Sequence, residues 1–253
     1  MALYHSLPTQ KPTVFLSDVD DTLAPSTQPI SENMAEALTG LHDHGVHLVF
    51  VSGGSVAQMT KQVSARLARP HHLLGTSGSH AVAVDGTGTQ TELFKVGFSD
   101  QERLEIDASL KALVQHFHIK PDTNELDQVQ DRGCQFTLSA LGRGAADARK
   151  RAFDPDGTLR REWVAFLINR LGDDRFTIRV GGTTSVDITA KGVDKASGVR
   201  RLLDTLGWKA ADGLYFGDRF EETGNDFPVL AVMNCVQIHQ LAETEVFVRA
   251  LSR

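Results

Sequence analysis

The chain has 253 residues, 41% of them hydrophobic and 23% charged, enough for one large folded domain or two modest ones. Its 26 basic and 32 acidic side chains give a formal charge of -6 with neither sign gathered in a long block, which argues against a nucleic-acid or membrane-surface partner. No stretch reads as a signal peptide or a bilayer-spanning run, and Cys134 and Cys235 lie far apart in apolar stretches, so the expectation is a cytoplasmic protein with reduced, buried thiols.

Strand and helix signals alternate from the start. "TVFLSD" reads as a buried strand, and Ser31 then opens a helix with Met34, Leu38 and Leu41 on one face and Gly45 as its stop. "VHLVFVS" is a second buried strand, Val56, Met59, Val63 and Leu67 fall at helical spacing, and a short strand comes next near "HHLLG". This βαβα order implies a parallel sheet covered by helices on both faces.

Around residue 80 the pattern changes, because "HAVAVDGTGTQTELFKV" reads as two antiparallel strands joined by a Gly-rich turn. A helix comes next near 100–118, then a strand in "CQFTLSA", a helix near 160–171 and the strands "RFTIRV" and "TSVDITA". Parallel-type signals return with a helix from Asp194 to Leu206, the strand "GLYFGD" and a final strand "VMNCVQI" followed by a helix. The fold class expected is α/β, a doubly wound, Rossmann-like core of residues 1–82 and 191–253 with residues 83–190 inserted as an α+β domain.

In such sheets ligands sit beyond the carboxyl ends of the parallel strands. "FLSDVDDTLAP" puts Asp18, Asp20 and Asp21 there within four residues, and like charges so close call for a cation or a shared proton. Ser52 with Gly53 ends the second strand, Lys195 begins the helix after the insertion, and "GDRFEETGND" brings Asp218, Asn225 and Asp226 after the next core strand. Carboxylates, a hydroxyl and a lysine converging from separate strands suit Mg²⁺-assisted phosphoryl transfer, because hard oxygen ligands suit Mg²⁺. On this reading Asp18 is the nucleophile, Asp20, two residues on and so on the same side of an extended chain, the acid and base, Thr22 and Ser52 the phosphoryl-oxygen donors and Lys195 the counter-charge. Asp18, Asp20 and Asp218 would be ligands of the metal, with Asn225 and Asp226 orienting it or binding it through water. Each element alone has a structural reading as a turn, a loop leading into a helix or a solvated face, and it is their order on one sheet that points to chemistry.

These four motifs in this order resemble the haloacid dehalogenase superfamily, and the insertion resembles the subclass with a large α/β cap, which includes sugar-phosphate phosphatases and eukaryotic-type phosphomannomutases. The likeness implies a cap strand in "RGCQFTLSALGR", with Arg132 and Arg143 where the family binds phosphate and sugar, and a second in "IRVGGTTSVDITAKGVDK", with Ser185 and Asp187 touching the sugar. The residues agree, since Gln135, Thr137 and Ser139 on one strand and Ser185, Asp187 and Thr189 on the other alternate with apolar positions. It implies a phosphosugar partner, Mg²⁺ as cofactor and pairing of two copies through the cap. Asp21 stands where the family usually has glycine, and its side chain is expected to cap the following turn. Thr27 stands where mutases of the family carry an arginine, and a further cap arginine falls in a shortened stretch, which favours hydrolysis over the mutase reaction.

A receiver domain would share the acidic residues, hydroxyl and lysine but not the inserted domain, and a phosphosugar sensor would bind without turnover. The histidines of "HDHGVH", "HH" and "HFH" combine with no cysteine pattern, so zinc is not expected.

Overall fold

The computed structural model describes residues 1–9, 11–222 and 224–252. Its strands are β1 (Leu3–Tyr4), β2 (Val14–Asp18), β3 (His47–Val51), β4 (His71–Gly75), β5 (His80–Val84), β6 (Gln90–Lys95), β7 (Val129–Asp131), β8 (Gln135–Ser139), β9 (Phe176–Val180), β10 (Ser185–Ala190), β11 (Gly213–Gly217) and β12 (Cys235–Gln237). The α-helices are α1 (Glu32–Asp43), α2 (Val56–Met59), α3 (Asp100–His116), α4 (Asp147–Phe153), α5 (Thr158–Leu171), α6 (Lys195–Leu206) and α7 (Leu241–Leu251). The chain divides into two compact units, Met1–Lys95 with Asp194–Arg253, and Val96–Val193.

The first unit is built on an eight-stranded sheet in the order β1-β12-β11-β2-β3-β4-β5-β6. Strands β1, β12, β11, β2, β3 and β4 run parallel, and β5 and β6 pair antiparallel onto that edge. The sequence pattern starts the insertion at residue 83, whereas the unit boundary falls at Lys95. The Gly-rich hairpin is antiparallel as expected, but β5 pairs with β4 through His71↔Val84 to Gly75↔His80 and so belongs to the core sheet.

Alternation along β2 explains why this sheet is covered on both sides. Phe15 packs with Leu38, Phe50, Phe216 and Val248 on the face of α1 and α7, while Val14 and Leu16 pack with Val199, Leu202 and Tyr215 on the face of α6. Such two-sided burial gives the continuous apolar runs seen in the sequence. Ser31 caps α1 by accepting from the Met34 N–H at 3.1 Å, and α1 ends at Asp43, just before Gly45 turns with φ +86°.

The second unit has a four-stranded antiparallel sheet in the order β7-β8-β10-β9. Phe136, Leu138, Ile178, Val186 and Ile188 face α3 and α5, packing on Leu110, Leu113, Trp163 and Leu167. The alternate residues form a polar face, with Thr137 and Ser139 of β8 paired to Asp187 and Ser185 of β10. Arg160 of α5 pins the β9–β10 turn: it is ion-paired to Asp154 at 2.8 Å and donates to the carbonyls of Gly181 and Gly182. No described helix is long and apolar enough to cross a membrane.

Candidate active site

The strand order places β2 between β3 and β11, and the connections leave in opposite directions on its two sides, which is where an open parallel sheet forms a crevice at its carboxyl end. Asp18 is the last residue of β2, Ser52 follows β3 and Asp218 follows β11, so backbone topology alone brings them to one rim. Lys195 arrives from a different element. Asp194 caps α6 by accepting from the Ser197 N–H at 2.7 Å, which makes Lys195 its first residue. The helix lies close to the loop after β4 because Gly198 meets Gly78: a Cβ on Gly198 would stand 2.3 Å from the Gly78 Cα. Only two glycines allow that approach.

The outcome is a buried charge cluster. Lys195 Nζ lies 2.8 Å from Asp18 Oδ1 and 2.8 Å from Asp226 Oδ1, and the lysine side chain is 1% exposed. Carboxylate oxygens of Asp18, Asp218 and Asp226 fall within 4.8 Å of one another. Asp18 Oδ1 also accepts from the Val19 N–H at 2.8 Å. Asp226 accepts from the Tyr215 hydroxyl at 2.6 Å and from the Arg219 N–H at 3.1 Å.

The electrostatics arise from burial. Desolvation pushes the Asp18 carboxyl up to about 7, against the opposing pull of Lys195 and with a further push from Asp226. Burial also raises Asp218, with Asp226 adding to it. Burial by itself would lower the Lys195 ammonium, yet the adjacent Asp18 and Asp226 hold it above its ordinary value. Burial, then Asp226, pushes the Tyr215 hydroxyl well up, so it stays a donor. Three carboxylates against one ammonium leave an excess of negative charge, and that donor set fits a metal ion.

Asp20 departs from the expectation that its carboxylate joins the metal ligands. It is not among the clustered oxygens; its Oδ1 instead accepts from the Thr27 N–H at 2.7 Å and from Gln62 Nε2 at 3.0 Å. The reason is local. β2 stops at Asp18 and the chain turns at once, with the Leu23 N–H on the Val19 carbonyl at 2.9 Å and Asp21 left-handed at φ +59°, so the strand alternation expected from sequence does not extend to Asp20. Asp21 is exposed and accepts from the Ser26 N–H at 3.2 Å, a contact that caps the turn. Asn225 is exposed on the loop whose next residue, Asp226, is fully buried.

Ser52 is buried, and its Oγ accepts from the Gly54 N–H at 2.9 Å. Gly53 stands beside it, and Thr22 Oγ1 is buried with no hydrogen-bond partner among the described residues. Arg132, Arg143, Ser185 and Asp187 all lie in the second unit. Arg132 donates to Gln130 Oε1 at 3.1 Å, Asp187 accepts from Thr137 at 2.6 Å, Ser185 is half-buried and Arg143 is exposed.

Two residues of the site are not evident from the sequence motifs. Gln62 sits in a π-helical turn, Thr60–Ser64, that aims it at Asp20. A glutamine three residues after Met59, on the buried stripe, is the available signal. Tyr215 belongs to an apolar strand run and gives no motif of its own, although a buried phenol needs a partner.

A family model described as eukaryotic phosphomannomutase matches residues 99–250, and one described as haloacid dehalogenase-like hydrolase matches residues 15–96. The chain is 24% identical over 232 residues to a phosphomannomutase of Encephalitozoon cuniculi (strain GB-M1), covering 86% of this chain and 84% of that one. It is 24% identical over 232 residues to a phosphomannomutase of Saccharomyces cerevisiae, covering 87% and 86%. Among solved structures, Plasmodium falciparum IMP-nucleotidase shares the fold with a TM-score of 0.70 at 15% identity, over 95% of this chain and 62% of that one. A Thermotoga maritima structure does so with a TM-score of 0.59 at 17% identity, over 91% and 89%.

Proposed function

This chain belongs to the eukaryotic phosphomannomutase family, with a haloacid dehalogenase-like core, and from that premise we propose that it hydrolyses a hexose phosphate or similar phosphosugar through an aspartyl-phosphate on Asp18. The observation that carries this reading is Lys195 held between Asp18 and Asp226 at 2.8 Å from each, with Asp218 in the same cluster.

Asp18 Oδ1 is taken up by Lys195 and the Val19 N–H, so Oδ2 attacks phosphorus and displaces the sugar oxygen. Asp20 gives its proton to that leaving oxygen, then takes one from the water that attacks the aspartyl-phosphate, which frees phosphate and restores Asp18. Lys195 offsets the charge that develops on the phosphoryl group, and the Ser52 hydroxyl, the Gly53 backbone and Thr22 donate to its oxygens. Asp18, Asp218 and Asp226 would hold Mg²⁺, and when bound it screens the repulsion between two anions. Asp226 also fixes Lys195, and Tyr215 and the Arg219 N–H hold its carboxylate in place. In the second unit Arg132, Arg143, Ser185 and Asp187 bind the sugar and its substituents.

The mutase reaction is the second reading, favoured by the family and by retention of those four residues. Against it stands Thr27, which leaves no cation where mutases have one to anchor a bisphosphate during its reorientation. Phosphate release with Mg²⁺ across a panel of sugar phosphates tests hydrolysis. Bisphosphate-dependent interconversion of 1- and 6-phosphates without net phosphate release would replace it with the mutase.

The protein acts in the cytoplasm, a placement supported by two free, buried cysteines. Pairing of two copies through the second unit is supported by Leu104 and Leu126, 67% and 95% exposed, and by β7, an open edge of its sheet. Sedimentation of the wild type and of a Leu104→Glu/Leu126→Glu variant tests it.

A further inference from the structure

The loop after β4 holds backbone strain that the close approach of α6 explains only in part. Thr76, Ser77 and Gly78 are all left-handed, at φ +50°, +54° and +92°. Glycine takes that region at no steric cost, whereas serine and, more so, β-branched threonine are strained there. Gly78 is required by its contact with Gly198. Thr76 is 2% exposed, so packing retains its side chain. Ser77 is half-buried, and its hydroxyl has no hydrogen-bond partner among the described residues. Neither packing nor an internal hydrogen bond thus accounts for a side chain at position 77, and residues held in such conformations cluster where ligands bind.

Backbone hydrogen bonds fix where that hydroxyl stands. The Ser52 N–H donates to the Leu74 carbonyl at 3.0 Å, the Thr76 N–H to the Gly54 carbonyl at 2.7 Å and the Ser77 N–H to the Ser52 carbonyl at 3.0 Å. These bonds carry the pairing of β3 with β4 past the ends of both strands and knit together the two loops at the carboxyl rim. Ser77 Oγ lies 3.8 Å from the point that a Cβ on Gly53 would occupy. The hydroxyl therefore stands beside Gly53, the residue whose backbone, with Ser52, is assigned above to the phosphoryl oxygens, and it lies in the same unit as Asp18. A hydroxyl rotor turns to suit its acceptor, and a hydrogen bond donated to an anionic oxygen is stronger than one between neutral groups.

We infer that Ser77 is a further substrate-binding residue, whose hydroxyl donates to the phosphoryl oxygen held at Gly53. The inference rests on the phosphohydrolase reading and adds to it a donor from a third strand end, that of β4, beside those of β2 and β3. The strained backbone at Ser77 is what holds the hydroxyl in that place.

The test compares the wild type, Ser77→Gly and Ser77→Asn by thermal unfolding, by turnover of p-nitrophenyl phosphate and of a sugar phosphate with Mg²⁺, and by competitive inhibition with inorganic phosphate. Ser77→Gly relieves the left-handed strain and removes the donor. It should unfold at a higher temperature than the wild type, while inorganic phosphate binds roughly tenfold more weakly and kcat/KM falls about tenfold. The loss should be alike on both substrates, since the phosphoryl group is what they share. Asparagine tolerates the left-handed region and carries an N–H donor, so Ser77→Asn should recover part of the phosphate affinity. A Ser77→Gly enzyme inhibited by phosphate as strongly as the wild type would overturn the inference while leaving hydrolysis intact. A loss confined to the sugar phosphate would overturn it as well, by assigning the hydroxyl to the sugar. No turnover of any phosphomonoester would overturn the phosphohydrolase reading and this inference with it.

Discussion

The Lys195 ammonium lies 2.8 Å from Asp18 Oδ1 in a site where the two side chains are 1% and 5% exposed. A buried lysine is tolerated only with partners, and each partner carboxylate is tolerated only with the lysine, so the group is stable as a set and costly to break.

Replacing Lys195 with Met should therefore do two things. Turnover should fall about 100- to 1000-fold, the range for loss of a charge-stabilising group. In chelator the variant should also unfold at lower temperature than the wild type, because three carboxylates lose their counter-charge, and added Mg²⁺ should recover part of the difference. Thermal unfolding with and without Mg²⁺ measures this; a variant as stable as wild type in chelator would contradict it.

The Asp18 carboxyl gives stability a pH dependence whose sign is fixed. Its folded value, about 7, lies above the ordinary aspartate value of 3.8, so the folded state binds the extra proton between them. Stability from this group is present below the unfolded value and is lost as pH rises through about 7. Metal-free protein should lose thermal stability between about pH 4 and pH 7, the span set by these two values, and Mg²⁺ should stabilise more at pH 8 than at pH 6. Asp18→Asn should flatten the chelator profile. A wild-type curve flat across this range would refute the assignment.

Gln62 donates to Asp20 Oδ1 at 3.0 Å from a fully packed position. Gln62→Leu keeps the volume and removes the donor, so kcat on a sugar phosphate should drop about tenfold. On p-nitrophenyl phosphate, whose leaving group needs no proton, the drop should be smaller. Equal losses on both substrates would mean that Gln62 serves packing alone.

Thr27 is β-branched and left-handed, with φ +63°, and it holds Asp20 through its backbone N–H. Thr27→Gly should relieve strain and raise stability by about 1 kcal/mol. Thr27→Arg restores the cation that the mutases carry, and the ratio of bisphosphate-dependent interconversion to hydrolysis should rise. No change in that ratio would remove Thr27 from the explanation of hydrolysis.

The rim of the candidate site is legible in the sequence because Asp18, Ser52 and Asp218 each end or succeed a strand with an unmistakable apolar run: "TVFLSD" ends at Asp18, "VHLVFVS" at Ser52 and "GLYFGD" at Asp218. Residues beyond a strand end are harder to place. Alternation would put Asp20 on the face of Asp18, but the strand stops at Asp18, and the partners of Asp20, Gln62 and Thr27, come from a π-turn and a left-handed residue that period counting does not detect. The hairpin of β5 and β6 is recognisable but its sheet is not, since antiparallel character says nothing about which edge it joins. Short elements such as β1, β7 and α4 carry too few residues to show a period.

Covalent catalysis by Asp18 is tested by acid quenching of the enzyme during turnover of a sugar phosphate with Mg²⁺, followed by mass spectrometry of its peptides. A phosphoryl group should be found on the peptide containing Asp18, mapped to that residue, and be absent from Asp18→Asn. Phosphate release with no phosphopeptide, and with Asp18→Asn as active as wild type, would contradict an aspartyl-phosphate at this position.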